Sequence, residues 1–123
     1  MNPTDEIEDY FDGKPDSLAI FEAIVDTAEQ HGEFDITVKR QISFGRTRKF
    51  AWFWLYNVTK KNPDGIPHLM LAIDHPIDTP HVRSVEQIGK QRWNHQIVIR
   101  SLDDANSTWL AELIGLAHDY GAG

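Results

Sequence analysis

After Gly32 the hydrophobic period of this chain switches from that of a helix to that of a strand, and this switch bounds the fold. Upstream, Leu18, Phe21, Ile24, Val25 and Ala28 recur at helical spacing behind Lys14-Pro15-Asp16-Ser17, with Asp16 or Ser17 as cap and Gly32 as the closing C′ residue. A shorter stripe of Ile7, Tyr10 and Phe11 follows Thr4, a cap residue with Asp5 and Glu6 in the favourable first turn. Downstream, Phe34, Ile36 and Val38 alternate with polar residues, and the alternation resumes at Ile42 and Phe44. Arg40 falls in phase with that apolar face, so either the strand bends or bulges near 39–41 or Arg40 points inward. Gly45 to Arg48 reads as a turn, and Phe50 to Tyr56 is apolar on both faces, as a central strand covered on two sides would be. Asn62-Pro63-Asp64-Gly65 is a turn, Leu69 to Ile73 a buried strand, and Val85 to Gly89 with Gln96 to Ile99 complete the sheet. Ser101-Leu102-Asp103-Asp104 resembles a capping box before a closing helix that carries Trp109, Leu110, Leu113, Ile114, Leu116 and Ala117.

Short turns cannot supply the long crossovers of a parallel sheet. The expectation is therefore α+β: a mostly antiparallel sheet of about five strands, two N-terminal helices and one C-terminal helix. A chain of 123 residues suits a single domain over 1–123, with residues 1–7 as an acidic leader able to stay flexible.

The net charge of −7 hides a partition. Residues 1–35 hold 11 acids and one base, Lys14, whereas residues 36–61 hold seven bases and no acid. The acidic total argues against duplex nucleic acid, while the basic segment suits a local anion site. Neutralisation of the basic strands by the acidic helices explains the same pattern. There is no cysteine, hence no disulfide framework or thiolate chemistry. The acidic N-terminus lacks the features of a signal peptide, and Phe50 to Tyr56 is too short to span a membrane, so the expected location is cytoplasmic.

Chemistry is most suggestive from Lys39 to Tyr56, where bases are followed by aromatics. On a strand, Phe50, Trp52, Trp54 and Tyr56 share one face, as a surface that stacks bases and holds phosphates requires. Packing beneath the helices is the commoner use of such rings. His75, Asp78 and His81 are close in sequence, but their spacing matches no metal motif, and no metal or cofactor is expected. His31 and His118 suit helix C-termini, which leaves His68 and His95, at strand starts, as the pocket candidates. No nucleophile elbow, phosphate-binding loop, dinucleotide fingerprint or zinc-protease motif occurs.

Tyr10-Phe11-Asp12-Gly13-x-Pro15, Gln41-Ile42-Ser43-Phe44-x-Arg46, Phe50-Ala51-Trp52 and Arg92-Trp93-x-His95 occur in an order and spacing that carry a resemblance. From about residue 8 to 120 the chain resembles the bacterial family called domain of unknown function 5655. The resemblance implies an α+β module with no assigned activity, cofactor or catalytic residue, and it draws attention to Arg46, Phe50, Trp52 and His95.

The leading expectation is a non-enzymatic module that binds an anionic or nucleotide-like ligand through Arg46, Arg48, Lys49, Trp52, Trp54 and His95. Two alternatives stand beside it. One is an enzyme with His68 or His95 as general base, the other an adaptor or homodimer joined by exposed aromatics.

Overall fold

The computed structural model describes residues 3–123. Two helices, α1 (Thr4–Tyr10) and α2 (Pro15–Glu29), precede six strands, β1 (Asp35–Val38), β2 (Ile42–Gly45), β3 (Lys49–Tyr56), β4 (Ile66–Ile73), β5 (Ser84–Gly89) and β6 (Arg92–Val98). Helices α3 (Leu102–Ala105) and α4 (Thr108–Gly121) follow. The strands form one sheet in the order β1-β2-β3-β4-β6-β5, every pair antiparallel. The fold is α+β as expected, with six strands for five and four helices for three. Each difference has a local cause.

The extra strand arises at residues 39–41. The phase conflict at Arg40 resolves as a hairpin turn, closed by the Lys39 N–H donating to the Gln41 carbonyl. Val38 then pairs with Ile42, and both alternations keep their apolar residues on one face. The extra helix arises at Asn106-Ser107. Ser101 caps α3 by accepting from the Asp104 N–H, and Ser107 starts a new helix by accepting from the Leu110 N–H while its hydroxyl donates to the Asp104 carbonyl. Two caps six residues apart cannot serve one continuous helix.

The first two helices also start differently from expectation. Pro3, not Thr4, occupies the N-cap of α1, so residues 4–7 of the acidic leader are helical; residues 1 and 2 lie outside the described residues. Lys14 is the N-cap of α2 with Pro15 at its first turn. Ser17 is instead buried against the β3–β4 turn. Its N–H donates to Asp64 Oδ1 and its hydroxyl to the Asp64 carbonyl, so a distant turn satisfies the start of α2.

The sheet is covered on one face. Ile42, Phe44, Ala51, Phe53, Leu69, Leu71, Ile73 and Ile97 lie buried beneath α2 and α4. Phe53 sits 5.2 Å from Phe21 and 5.8 Å from Phe11, ring centre to ring centre, which joins α2 and the α1–α2 connection to the middle strand. Among the described residues no helix covers the opposite face, so β3 is central without being enclosed on both sides.

Phe50 is parted from the other β3 aromatics. The register shifts where Phe44 pairs with Ala51 but Gly45 pairs with Lys49, leaving one extra residue on β3. That bulge turns Phe50 to the helix side with Ala51, where it is fully buried near Phe34, Phe44 and His118. Trp52, Trp54 and Tyr56 remain on the uncovered face. The Phe50 ring rests against Gly121 of α4, where a Cβ would lie 2.6 Å from Phe50 Cδ1 and 3.3 Å from the Arg48 carbonyl. Gly121→Ala is therefore expected to destabilise the protein by about 1–3 kcal/mol through overpacking. An unchanged melting temperature would contradict this contact.

Candidate functional site

The site residues expected from sequence separate into three places. Arg46 and Arg48 are drawn to the C-terminus of α4, whose last carbonyls lack intrahelical partners. Arg46 Nη1 donates to the His118 carbonyl (3.1 Å) and to His118 Nδ1 (3.2 Å). Arg48 Nε donates to the Tyr120 carbonyl (2.7 Å), and its guanidinium lies 3.7 Å from the centre of the Tyr120 ring. These are favourable positions for cations. His118 is thereby fixed as the Nε2–H tautomer, donating to the Glu33 carbonyl.

His95 lies on the helix face and is completely buried. Ile77 N–H donates to its Nε2 (3.0 Å), so the proton sits on Nδ1, which donates to the Trp93 carbonyl (3.0 Å) and approaches that of Leu71 (3.3 Å). Burial pushes its pKa below the ordinary histidine value, with a smaller push in the same direction from His75; the two carbonyls act the other way. Both ring nitrogens are committed to main chain. His95 fastens the loop after β4 to the sheet.

Lys49, Trp52 and Trp54 stay together on the uncovered face, where the β3 alternation resumes after the bulge. Pairing continues this face across the sheet, with Trp52 between Ser43 and Met70 and Trp54 beside His68. The Trp54 and Tyr56 rings each lie 5.4 Å from that of His68. His68 is buried beneath them, its Nδ1–H donating to the Ile66 carbonyl. Tyr56 itself is 60% exposed.

At the β1–β2 end of this face is an open groove of about 660 Å³, lined by Lys39, Arg40, Gln41, Ser43, Lys49 and Trp52. No carboxylate lines it. From the β6 side the Arg92 guanidinium lies 5.1 Å from the centre of the Trp52 ring and donates from Nε to Asn94 Oδ1, which steadies the indole. A larger groove of about 730 Å³ runs past Gly32 and Gly45, but Glu29, Glu33 and Asp35 line it with Arg46 as the one cation, so its charge suits no anion.

The acidic helices do not neutralise the basic strands by ion pairing. Among the described residues the one ion pair is His75 with Asp74, so none of the seven bases in 36–61 is paired with a carboxylate. The remaining histidines have structural partners: His81 stacks on Trp109 at 4.1 Å, and His31 Nε2 bonds to the Ala111 carbonyl.

Lys39, Arg40, Gln41, Ser43 and Arg92 line or support the groove, and none of them is among the six ligand-binding residues expected from the sequence. Residues 39–43 do open the basic and aromatic stretch, and the phase conflict at Arg40 marks the hairpin that brings residues 39–41 alongside Lys49. Arg92 is visible only as the first residue of Arg92-Trp93-x-His95, and nothing in the sequence relates it to Trp52, forty residues away.

Fold and surface together define an α+β protein with helices on one sheet face and a basic-edged aromatic surface on the other. The chain belongs to the family described as Domain of unknown function (DUF5655), whose model matches residues 7–121. No curated protein and no solved structure matches it. Among the described residues no helix is long and apolar enough to cross a membrane.

Proposed function

We propose that this protein is a binding module for an anionic, nucleotide-like ligand, held in the groove beside Trp52. The observation that carries the reading is the acid-free lining of Lys39, Arg40 and Lys49 next to an indole on a helix-free sheet face. Unpaired cations supply phosphate attraction, and the indole supplies a stacking surface for a base. Ser43 and Gln41 add neutral donors and acceptors between them. Relative to the sequence expectation, Lys39 and Arg40 take the part of Arg46 and Arg48, whose guanidinium groups are spent on α4.

The enzyme reading gains no support from its two histidines. His95 offers no free nitrogen, and the Nδ1 proton of His68 goes to its own strand's carbonyl rather than to an orienting carboxylate. Titration with nucleoside mono- and diphosphates, followed by tryptophan fluorescence, tests the binding reading. Quenching that saturates, weakens with salt and is lost in Trp52→Ala is the expected result. Equal binding by wild type and Trp52→Ala would refute it.

A further inference from the structure

The uncovered face extends beyond the groove. Trp52, Trp54 and Tyr56 occupy alternate positions of one strand and so form a row with a pitch of about 6.8 Å and a length of about 14 Å. A row of that length outreaches a mononucleotide seated in the groove. Cations stand at one end of it: Lys39, Arg40 and Lys49 beside Trp52. No acid falls between residues 36 and 61.

The rings are braced from within the sheet. Arg92 steadies Trp52, and buried His68 underlies Trp54 and Tyr56. Held rings lose little rotamer freedom when a base stacks on them, which favours binding. The pitch also selects the form of the polymer. It is twice the ~3.4 Å rise of a strand within a duplex, so bases that follow the row must part from one another. A single strand can do this and a duplex cannot.

Resting on the binding reading above, we propose that the Trp52-Trp54-Tyr56 row carries single-stranded nucleic acid of three or more nucleotides, with its phosphates held by Lys39, Arg40 and Lys49. The chain's net charge of −7 is compatible with this, because ten of the eleven acids in 1–35 precede the sheet in α1, α2 and their connections. On the uncovered side the bases remain unpaired. Stacking on rings is tolerant of base identity, so the recognised feature is an unpaired strand rather than a sequence.

The test is fluorescence anisotropy of the full chain with labelled oligo-dT and oligo-U of three, six and nine nucleotides, a duplex of nine base pairs, and unlabelled mononucleotide as competitor. Affinity should rise from mononucleotide to six-mer, and the duplex should bind at least tenfold more weakly. The logarithm of the six-mer affinity should fall with log salt at a slope of about −2, as three phosphate contacts require. Tyr56→Ala, at an exposed position where folding tolerates truncation, should weaken the six-mer about 5- to 150-fold. Comparison of the two oligomer types assigns the strand to DNA, RNA or both, each of which satisfies the proposal.

Mononucleotide binding without any gain with length overturns the row and leaves the groove standing. Absence of binding by every probe overturns both. Six-mer binding that Tyr56→Ala leaves intact overturns the row. So does a Tyr56→Ala variant that dissociates a homodimer without altering oligomer affinity, for the face would then be a self-interface.

Discussion

Reversing two charges at the groove, Lys39→Glu with Lys49→Glu, is expected to lower nucleotide affinity roughly 100-fold or more while the protein still folds. Both lysines line the groove and have no carboxylate partner among the described residues. Each attraction to a phosphate a few ångströms away is on the order of 1 kcal/mol even in a water-like dielectric. The double change removes two attractions and adds two repulsions, which accounts for the size of the effect. Arg46→Glu serves as the contrasting variant. It carries the same kind of charge reversal at the end of α4, so it should lower thermal stability and affect ligand affinity less than either groove lysine does. Calorimetric titration of the variants against wild type decides it. Comparable affinity losses at the groove and at Arg46 would mean that overall charge, not the groove, holds the ligand.

The second large effect concerns His95. Truncation to alanine removes a fully buried ring and leaves the Ile77 N–H, with the Trp93 and Leu71 carbonyls, short of a partner. Loss of packing and of hydrogen bonding together should cost about 2–5 kcal/mol, visible as a melting-temperature drop of roughly 10 °C. The wild type should also lose stability as the solution is acidified, and the sign follows from the depressed pKa. Between the ordinary value of about 6.5 and the lower folded value, the unfolded chain binds a proton that the native ring refuses. Stability from this group is thus complete above about pH 6.5 and declines as pH falls through the interval below it. Urea unfolding from pH 7.5 to 5 should show a decline in the wild type that is shallower in His95→Ala by this one group's share. Parallel pH profiles would show that the ring is not held neutral.

The two effects belong to opposite faces of one sheet, although the sequence groups the residues concerned as one site. His95 stands beside Trp52 in that grouping because both match recognisable motifs of the family. A residue on β6 that pairs with Leu71 faces the helices, whereas Trp52, which pairs with Met70, faces away from them. Parity of register decides this, and register between distant strands has no signal in either strand alone. Arg46 and Arg48 likewise look equivalent to Lys49 in the sequence. Their assignment to α4 depends on a helix end about seventy residues later arriving beside the β2–β3 turn.

The local layers were legible because their causes are local. Helical spacing from Leu18 to Ala28, alternation from Phe34 to Phe44, the Asn62–Gly65 turn and the Ser101 cap each depend on residues within a few positions of one another. The short turns then implied antiparallel pairing, and with it the α+β class. Phe50 marks the limit of that reasoning. Alternation placed it with Trp52, and a one-residue bulge against β2, settled by packing beneath α4, moved it to the core. The switch of period after Gly32 thus determined that helices would cover a sheet. Which face they would cover, and so which rings would stay available to a ligand, was decided only when the strands paired and the helices buried the more apolar side.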